Sequence, residues 1–424
     1  MKAKFWAAWG LIHAAIAVLA LRGKTSEDVT YYYKGLHPWQ YPHRDIFFKG
    51  GPAALQEYPD AGTWPLRIVD ILTPDDPAYF RVGFVFAMAA VSGVFTHLLM
   101  KLVERHPNPD RPNHWPVVFW LLFTCAAYPV MLTRLDLIPG VLVAVVALWC
   151  ATRPRVSAFL LGLATMSKLW PGVLAAAFVG HWKSRGTWVR LLWFAVALIA
   201  LSLVTIVLSG PSRLTSPLSY QEVRGLQIES LAATPFILAA AIRPATWQIE
   251  YAASKSYEIT GPGVEIGISV ANVLTVVTLL VAIGCAGWRL FRTGWSALYV
   301  ARLSALLIML LIVGNKVLSP QYLIWLAPLV AVMLAIYFTR TTWLVSVLLL
   351  ATTFLTLLVY PATYTQLTEG PSVLAAVILG ARNVMLLALG AAVVRLFFND
   401  AKLSPSTKTS RLSPQLSTPR VSQL

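Results

Sequence analysis

Charge is what this chain has least of: Asp, Glu, Lys and Arg make up 12% of its 424 residues, about half the share of a soluble domain. With 57% hydrophobic residues beside it, that deficit excludes an ordinary soluble enzyme. Cysteine is almost as sparse. Cys125, Cys150 and Cys285 all fall in apolar stretches, which excludes a structural disulfide in a water-exposed loop and leaves them as small packing residues. Histidine and cysteine do not gather at metal-ligand spacing, so neither a metal nor another cofactor is expected. The sequence also lacks a G-x-S-x-G elbow and a P-loop. Acids are outnumbered, giving a net charge of +16, but the basic residues are scattered over short segments. Without a basic stripe, nucleic acid is not an expected partner. The N-terminal MKAKFWAAWGLIHAAIAVLALRG has the basic start and apolar core of a signal peptide but no small-x-small pair at its end, so it reads as an uncleaved first span.

What the chain has is apolar runs. They fall at 5–21, 82–102, 115–132, 137–151, 156–181, 189–209, 262–288, 296–314, 320–339, 341–360 and 372–394, many near the ~20 residues that cross a bilayer. Lys168 interrupts the run at 156–181. Taken as two short tilted helices meeting there, the run keeps WKSRGTWVR and the basic C-terminal tail on the inner side, as the positive-inside rule asks. The expected fold is an all-α polytopic membrane protein with a core of about 12 transmembrane helices in one domain, 1–397, both termini cytoplasmic. The inner loops are short and basic. The outer loops hold nearly all the carboxylates, in a first loop (22–81) and a second region (210–261). Aromatics and prolines in the first loop (YYY, HPWQYP, TWPLRIVDIL) predict short helices on the membrane face, and the apolar piece at 231–242 reads as a surface or re-entrant helix. Residues 398–424, rich in Ser, Thr and Pro, read as a disordered cytoplasmic tail.

Polar residues where a bilayer penalises them are the candidates for chemistry. Asp28 lies just beyond the first span. If Ser26 caps a helix there, Asp28 and Tyr32 share one face; spacing alone favours the plainer reading of Asp28 as a first-turn acid stabilised by the helix dipole. Lys168 in ATMSKLWPGV and Arg382 in LGARNVMLL sit within apolar runs and should face a polar cavity, with snorkelling as the alternative for Lys168. Arg224, Gln227 and Glu229 in SYQEVRGLQIES suit hydrogen bonding to a sugar or phosphate and suit a solvated surface loop equally well. Lys316, Gln321 and Tyr322 in VGNKVLSPQYLIW form a polar island between two spans. Arg134 and Asp136 in LTRLDLIP read as a structural ion pair, made with each other or with the first loop. Asp75 and Asp76 read as a turn between prolines. Lys168, Lys316 and Arg382 share one side of the topology, which suits an outward site where cations hold a leaving phosphate and a carboxylate takes a proton.

The ordered set of Asp28 with Tyr32, EYPDAGTWP, GLATMSKLWP, RGLQIES and KVLSPQYLIW, spread over about 5–395, resembles the GT-C glycosyltransferases. It is most similar to the actinobacterial type of glycosyltransferase family 87, the polyprenyl-phosphate-sugar-dependent mannosyl- and arabinofuranosyltransferases. The resemblance implies a GT-C core and an inverting transfer outside the cytoplasmic membrane from a polyprenyl-phosphate sugar to a glycan or glycolipid acceptor, in cell-envelope lipoglycan synthesis. Mannose is the first choice of sugar and arabinofuranose the second. The resemblance makes Asp28 the expected general base. Charge and burial make Lys168, Arg224, Lys316 and Arg382 candidate donor contacts, with Gln227, Glu229, Gln321, Tyr322 and Tyr32 beside them and Arg44, Asp45, Glu57 and Tyr58 as first-loop candidates. Where the family has Tyr-Pro-Pro, this chain has Tyr58-Pro59-Asp60. A lipid-linked-sugar flippase and a membrane scaffold are the rival readings.

Overall fold

The computed structural model describes residues 2–23, 27–41, 54–110, 114–222 and 224–398. Among them, seven helices are long and apolar enough to cross a membrane: Lys2–Arg22, Pro77–Arg105, Arg185–Ser209, Val264–Leu290, Ala297–Gly314, Arg340–Ala362 and Val373–Phe398. Shorter apolar helices, Trp115–Ala126, Leu137–Trp149 and Pro320–Ile336, fill the bundle between them. The protein is therefore a helical membrane-spanning protein. Its inside and its lipid face are distinguishable: Ala297–Gly314 and Leu323–Ile336 are buried along most of their length, whereas Leu192, Ile199, Val207, Leu280 and Ile283 stand exposed on Arg185–Ser209 and Val264–Leu290. A contiguous row of exposed large aliphatics is stable only against an apolar solvent.

The run at 156–181 is broken. Helix Pro154–Ser167 ends at Lys168, whose backbone is extended, and a 3-10 helix, Trp170–Phe178, follows. Pro171 explains the break: it has no N–H to give to the Ser167 carbonyl four residues back. The freed carbonyl is where the first loop docks. Gly62 lies against it so closely that a Cβ would collide with the oxygen.

The first loop carries two helices, Glu27–Leu36 and Asp60–Leu72. The side chain of Asp76 caps helix Pro77–Arg105 by accepting from the N–H groups of Ala78 and Tyr79, the reason for an acid before that proline. Ser26, Arg44, Asp45 and the tail beyond 398 lie outside the described residues. The region 210–261 adds what the all-helical expectation did not contain, a small antiparallel sheet. Its strands β1 (Leu226–Gln227), β2 (Gln248–Tyr251) and β3 (Tyr257–Thr260) run in the order β1-β3-β2, with Leu226 opposite Ile259 and Tyr251 opposite Tyr257. The sheet and helix Thr234–Ile242 bury Leu226, Ile228, Ile237 and Ile259 with Leu379 of the last long helix, forming a second core.

Candidate active site

Helix Glu27–Leu36 presents two faces. Its buried face sets Tyr32 against Tyr58, the hydroxyls 3.1 Å apart and the rings edge to face. Asp28, one turn earlier, reaches across to Arg134, whose Nη2 lies 2.5 Å from its carboxylate. Asp28 retains 29% side-chain exposure, yet protein surrounds it closely enough that burial pushes its carboxyl above the usual aspartate range. Arg134 opposes the rise, and Glu27 and Glu57 add to it. A recessed carboxylate with raised basicity and an open edge is suited to accept a proton.

The same helix sends Tyr31 the other way. Its hydroxyl donates to both oxygens of Glu57, at 2.9 and 3.1 Å, and receives the Leu55 N–H and the Lys255 ammonium, each at 2.9 Å. Lys255 sits at the turn joining β2 and β3 and also lies over the rings of Tyr31 and Tyr220. Tyr220 anchors this turn by donating to the Ser254 carbonyl at 2.5 Å. It carries the Arg224 guanidinium 4.8 Å above its ring.

From Tyr58 the contacts continue to Lys168. Its ammonium pairs with Asp136 at 2.5 Å and lies 5.4 to 5.7 Å from the ring centres of Tyr58, Tyr322 and Trp325. Trp325 donates to the same Asp136 oxygen, also at 2.5 Å, and stacks on Tyr322 with centroids 4.0 Å apart. Tyr322 is in turn an electrostatic neighbour of Arg224. Two arcs of contacts thus leave the Asp28 helix, Tyr32, Tyr58, Lys168 and Tyr322 on one side and Tyr31, Lys255, Tyr220 and Arg224 on the other, and the electrostatic approach of Tyr322 to Arg224 joins their ends into a ring. The Nε of Arg224 and the buried Oε1 of Gln321 have no hydrogen-bond partner among the described residues.

Lys316 adjoins this ring through Arg224. Burial lowers its pKa, Glu258 raises it, and Arg224 lowers it further. The break that exposes it, 315–319, is held by the RGLQIES segment. The Gln227 N–H donates to the Lys316 carbonyl at 3.1 Å, and its side-chain oxygen accepts the Leu318 N–H at 2.9 Å. Non-helical backbone between two spans requires such partners, so Gln227 acts on the protein itself.

Arg382 and Glu229, expected to meet the donor, meet each other. The Arg382 guanidinium donates to the Glu229 carbonyl at 2.9 Å and to its carboxylate at 3.3 Å, with side chains only 2% and 1% exposed. Asn383 adds a 2.6 Å bond to Thr234. Burial raises the Glu229 pKa to about 7, against the pull of Arg382. This pair fixes the loop after β1 against the last long helix.

Arg134 and Asp136 do not pair with each other: Arg134 goes to Asp28 in the first loop, one of the two expected arrangements, and Asp136 goes to Lys168. Tyr31, Lys255 and Tyr220 are the ring members that sequence reasoning passed over, together with Trp325, which stacks on Tyr322. Trp325 sits within a motif already singled out and next to its tyrosine, a signal that was there to be used; Lys255 lies in an unremarkable AASKS turn. Asp60, at the departure from Tyr-Pro-Pro, is fully buried and accepts from Arg67 at 3.1 Å, Trp64 at 3.2 Å and Ser209 at 2.8 Å. It clamps the first loop to the end of helix Arg185–Ser209, a tie that a second proline has no side chain to make. No protein-family model matches the chain, and no curated protein matches it.

Proposed function

We propose that this protein is an inverting glycosyltransferase that moves a sugar, mannose first among the options, from a polyprenyl-phosphate donor to a glycan or glycolipid acceptor. In this reading Asp28 takes the proton of the acceptor hydroxyl as that oxygen attacks the anomeric carbon. The bond from that carbon to the phosphate oxygen breaks, and the phosphate leaves with the electron pair. Arg224 and Lys316 stabilise the departing charge. Lys168, held by Asp136 and three aromatic rings, orders the wall between the two halves and adds to the positive potential. With twelve membrane helices and cytoplasmic termini, the ring faces the extracytoplasmic side, where a lipid-linked donor lies in the same bilayer.

The observation that carries this reading is the ring of contacts. A recessed, partly open carboxylate of raised basicity shares this aromatic ring with the cations Lys168, Lys255 and Arg224. That is the arrangement suited to base-assisted attack of a hydroxyl on an anomeric carbon from which a phosphate departs.

Purified protein in proteoliposomes with radiolabelled polyprenyl-phosphate mannose and a mannoside acceptor tests it. Label on the acceptor supports transfer. Label that only crosses the bilayer overturns it in favour of a flippase, and transfer only from the arabinofuranosyl donor changes the sugar but keeps the reaction.

A further inference from the structure

A concave surface lies at the far end of the Asp28 helix. An open groove of about 540 Å³ runs along Gly35 and Leu36 at the end of that helix, within the range of ligand sites, ~300–1,000 Å³. The exposed ring of Trp39 (72% accessible) borders it, with Gln56, Arg67, Asp70 and Arg213. The chemistry of this lining is distinctive. Two guanidiniums are offset by two carboxylates, since Arg67 pairs with Asp60 beneath it and Asp70 stands in the wall beside His37. Arg213 is fixed by the Leu55 carbonyl and Ser216, which leaves it positioned without being used up. An exposed indole, an amide, guanidinium donors and a carboxylate acceptor with no net charge match the hydroxyl-rich faces of a neutral sugar rather than an anion.

The groove and the Asp28 site share walls. Ala54, Leu55 and Gln56 line the groove, while the next two residues, Glu57 and Tyr58, belong to the ring around Asp28. Along helix Glu27–Leu36, Asp28 sits in the first turn and Gly35 and Leu36 in the last, about 10–12 Å away at the helical rise. A single sugar placed at Asp28 does not span that distance; an oligosaccharide does.

We propose that this groove is a remote acceptor subsite that binds the inner units of a neutral oligosaccharide whose terminal hydroxyl lies at Asp28. The proposal rests on the transferase reading for its second half. Its test therefore has two arms.

In the first, saturation-transfer NMR follows a mannose oligosaccharide with donor-free protein in detergent. Wild type is expected to saturate the inner sugar units, and Trp39→Ala and Gln56→Ala to lose that signal. In the second, kcat/KM is measured with a long and a short acceptor of the same linkage. The long-over-short ratio is expected to fall roughly tenfold in Trp39→Ala, the size of a lost aromatic contact.

Unchanged NMR contacts in both variants, or an unchanged acceptor ratio, overturn the groove whether or not transfer occurs. Oligosaccharide binding that depends on Trp39 in a protein that transfers no sugar keeps the groove and removes the transferase reading.

Discussion

Two carboxylate–guanidinium pairs stand at the same end of the bundle and differ in one respect. Asp28 and Arg134 retain 29% and 21% side-chain exposure, whereas Glu229 and Arg382 retain 1% and 2%. The same chemistry serves opposite ends. The sealed pair is closed to solvent and bonds to backbone and to itself, with Asn383 completing the contact to Thr234, so it holds a loop. The recessed pair leaves an edge of the carboxylate to a visiting hydroxyl. Accessibility, and not residue type, separates a structural ion pair from a candidate base.

Substitutions that treat the two pairs alike should therefore give unlike results. The largest effect is expected from Asp28→Asn, which keeps the shape and removes the base. Turnover should fall by about 10²- to 10⁴-fold with thermal unfolding little changed, and near-normal transfer would remove Asp28 from the mechanism. Arg382→Met should do the reverse and act through stability. It strands a buried Glu229, at a loss of about 3–5 kcal/mol, measured as a fall in melting temperature in detergent, and adding Glu229→Gln should restore part of it. Equal loss in the single and double variants would show that the pair is not coupled.

Lys316→Ala sharpens the comparison from the phosphate side. Donor KM should rise about ten- to a hundredfold, the worth of a charged hydrogen bond, while acceptor KM holds. A rise confined to the acceptor would place the donor elsewhere.

Arg134→Gln probes the open pair by pH. Asp28 must be deprotonated to act, so kcat/KM rises with pH through its pKa, which burial has already raised and Arg134 holds down. Removing Arg134 should move the acid limb to higher pH, and a limb that stays in place or moves down contradicts the pairing.

The smallest effect belongs to the sealed pair. The folded pKa of Glu229, about 7, lies above its unfolded value. Its favourable contribution is thus complete below the ordinary glutamate range and is lost as pH rises through about 7. Amide exchange in 226–233 should quicken over that window in wild type and stay flat in Glu229→Gln.

Legibility followed range. Pro171 after Lys168 marks a helix break from local chemistry alone, and the structure breaks there. The polar stretch at 315–319 announces an interruption, but that Gln227 would supply its hydrogen bonds is not written near it. The sheet escaped because strands of two to four residues carry too little alternation to stand out from a loop. Arg134 and Asp136, two residues apart, invite pairing with each other. Their short turn points them to different elements, and only the packed bundle shows it.

By itself the sequence determined the solvent. A chain with so little charge and so many apolar runs has to place its helices in a bilayer, because hydropathy and length are properties of each segment alone. Which charge meets which was decided by the tertiary structure. Arg382 and Glu229 are 153 residues apart, and nothing local to either predicts the other. Burying an ion is unfavourable until a partner arrives, so the packing that brings partners together is also what divides the sealed Glu229–Arg382 pair from Asp28, which keeps 29% side-chain exposure beside Arg134.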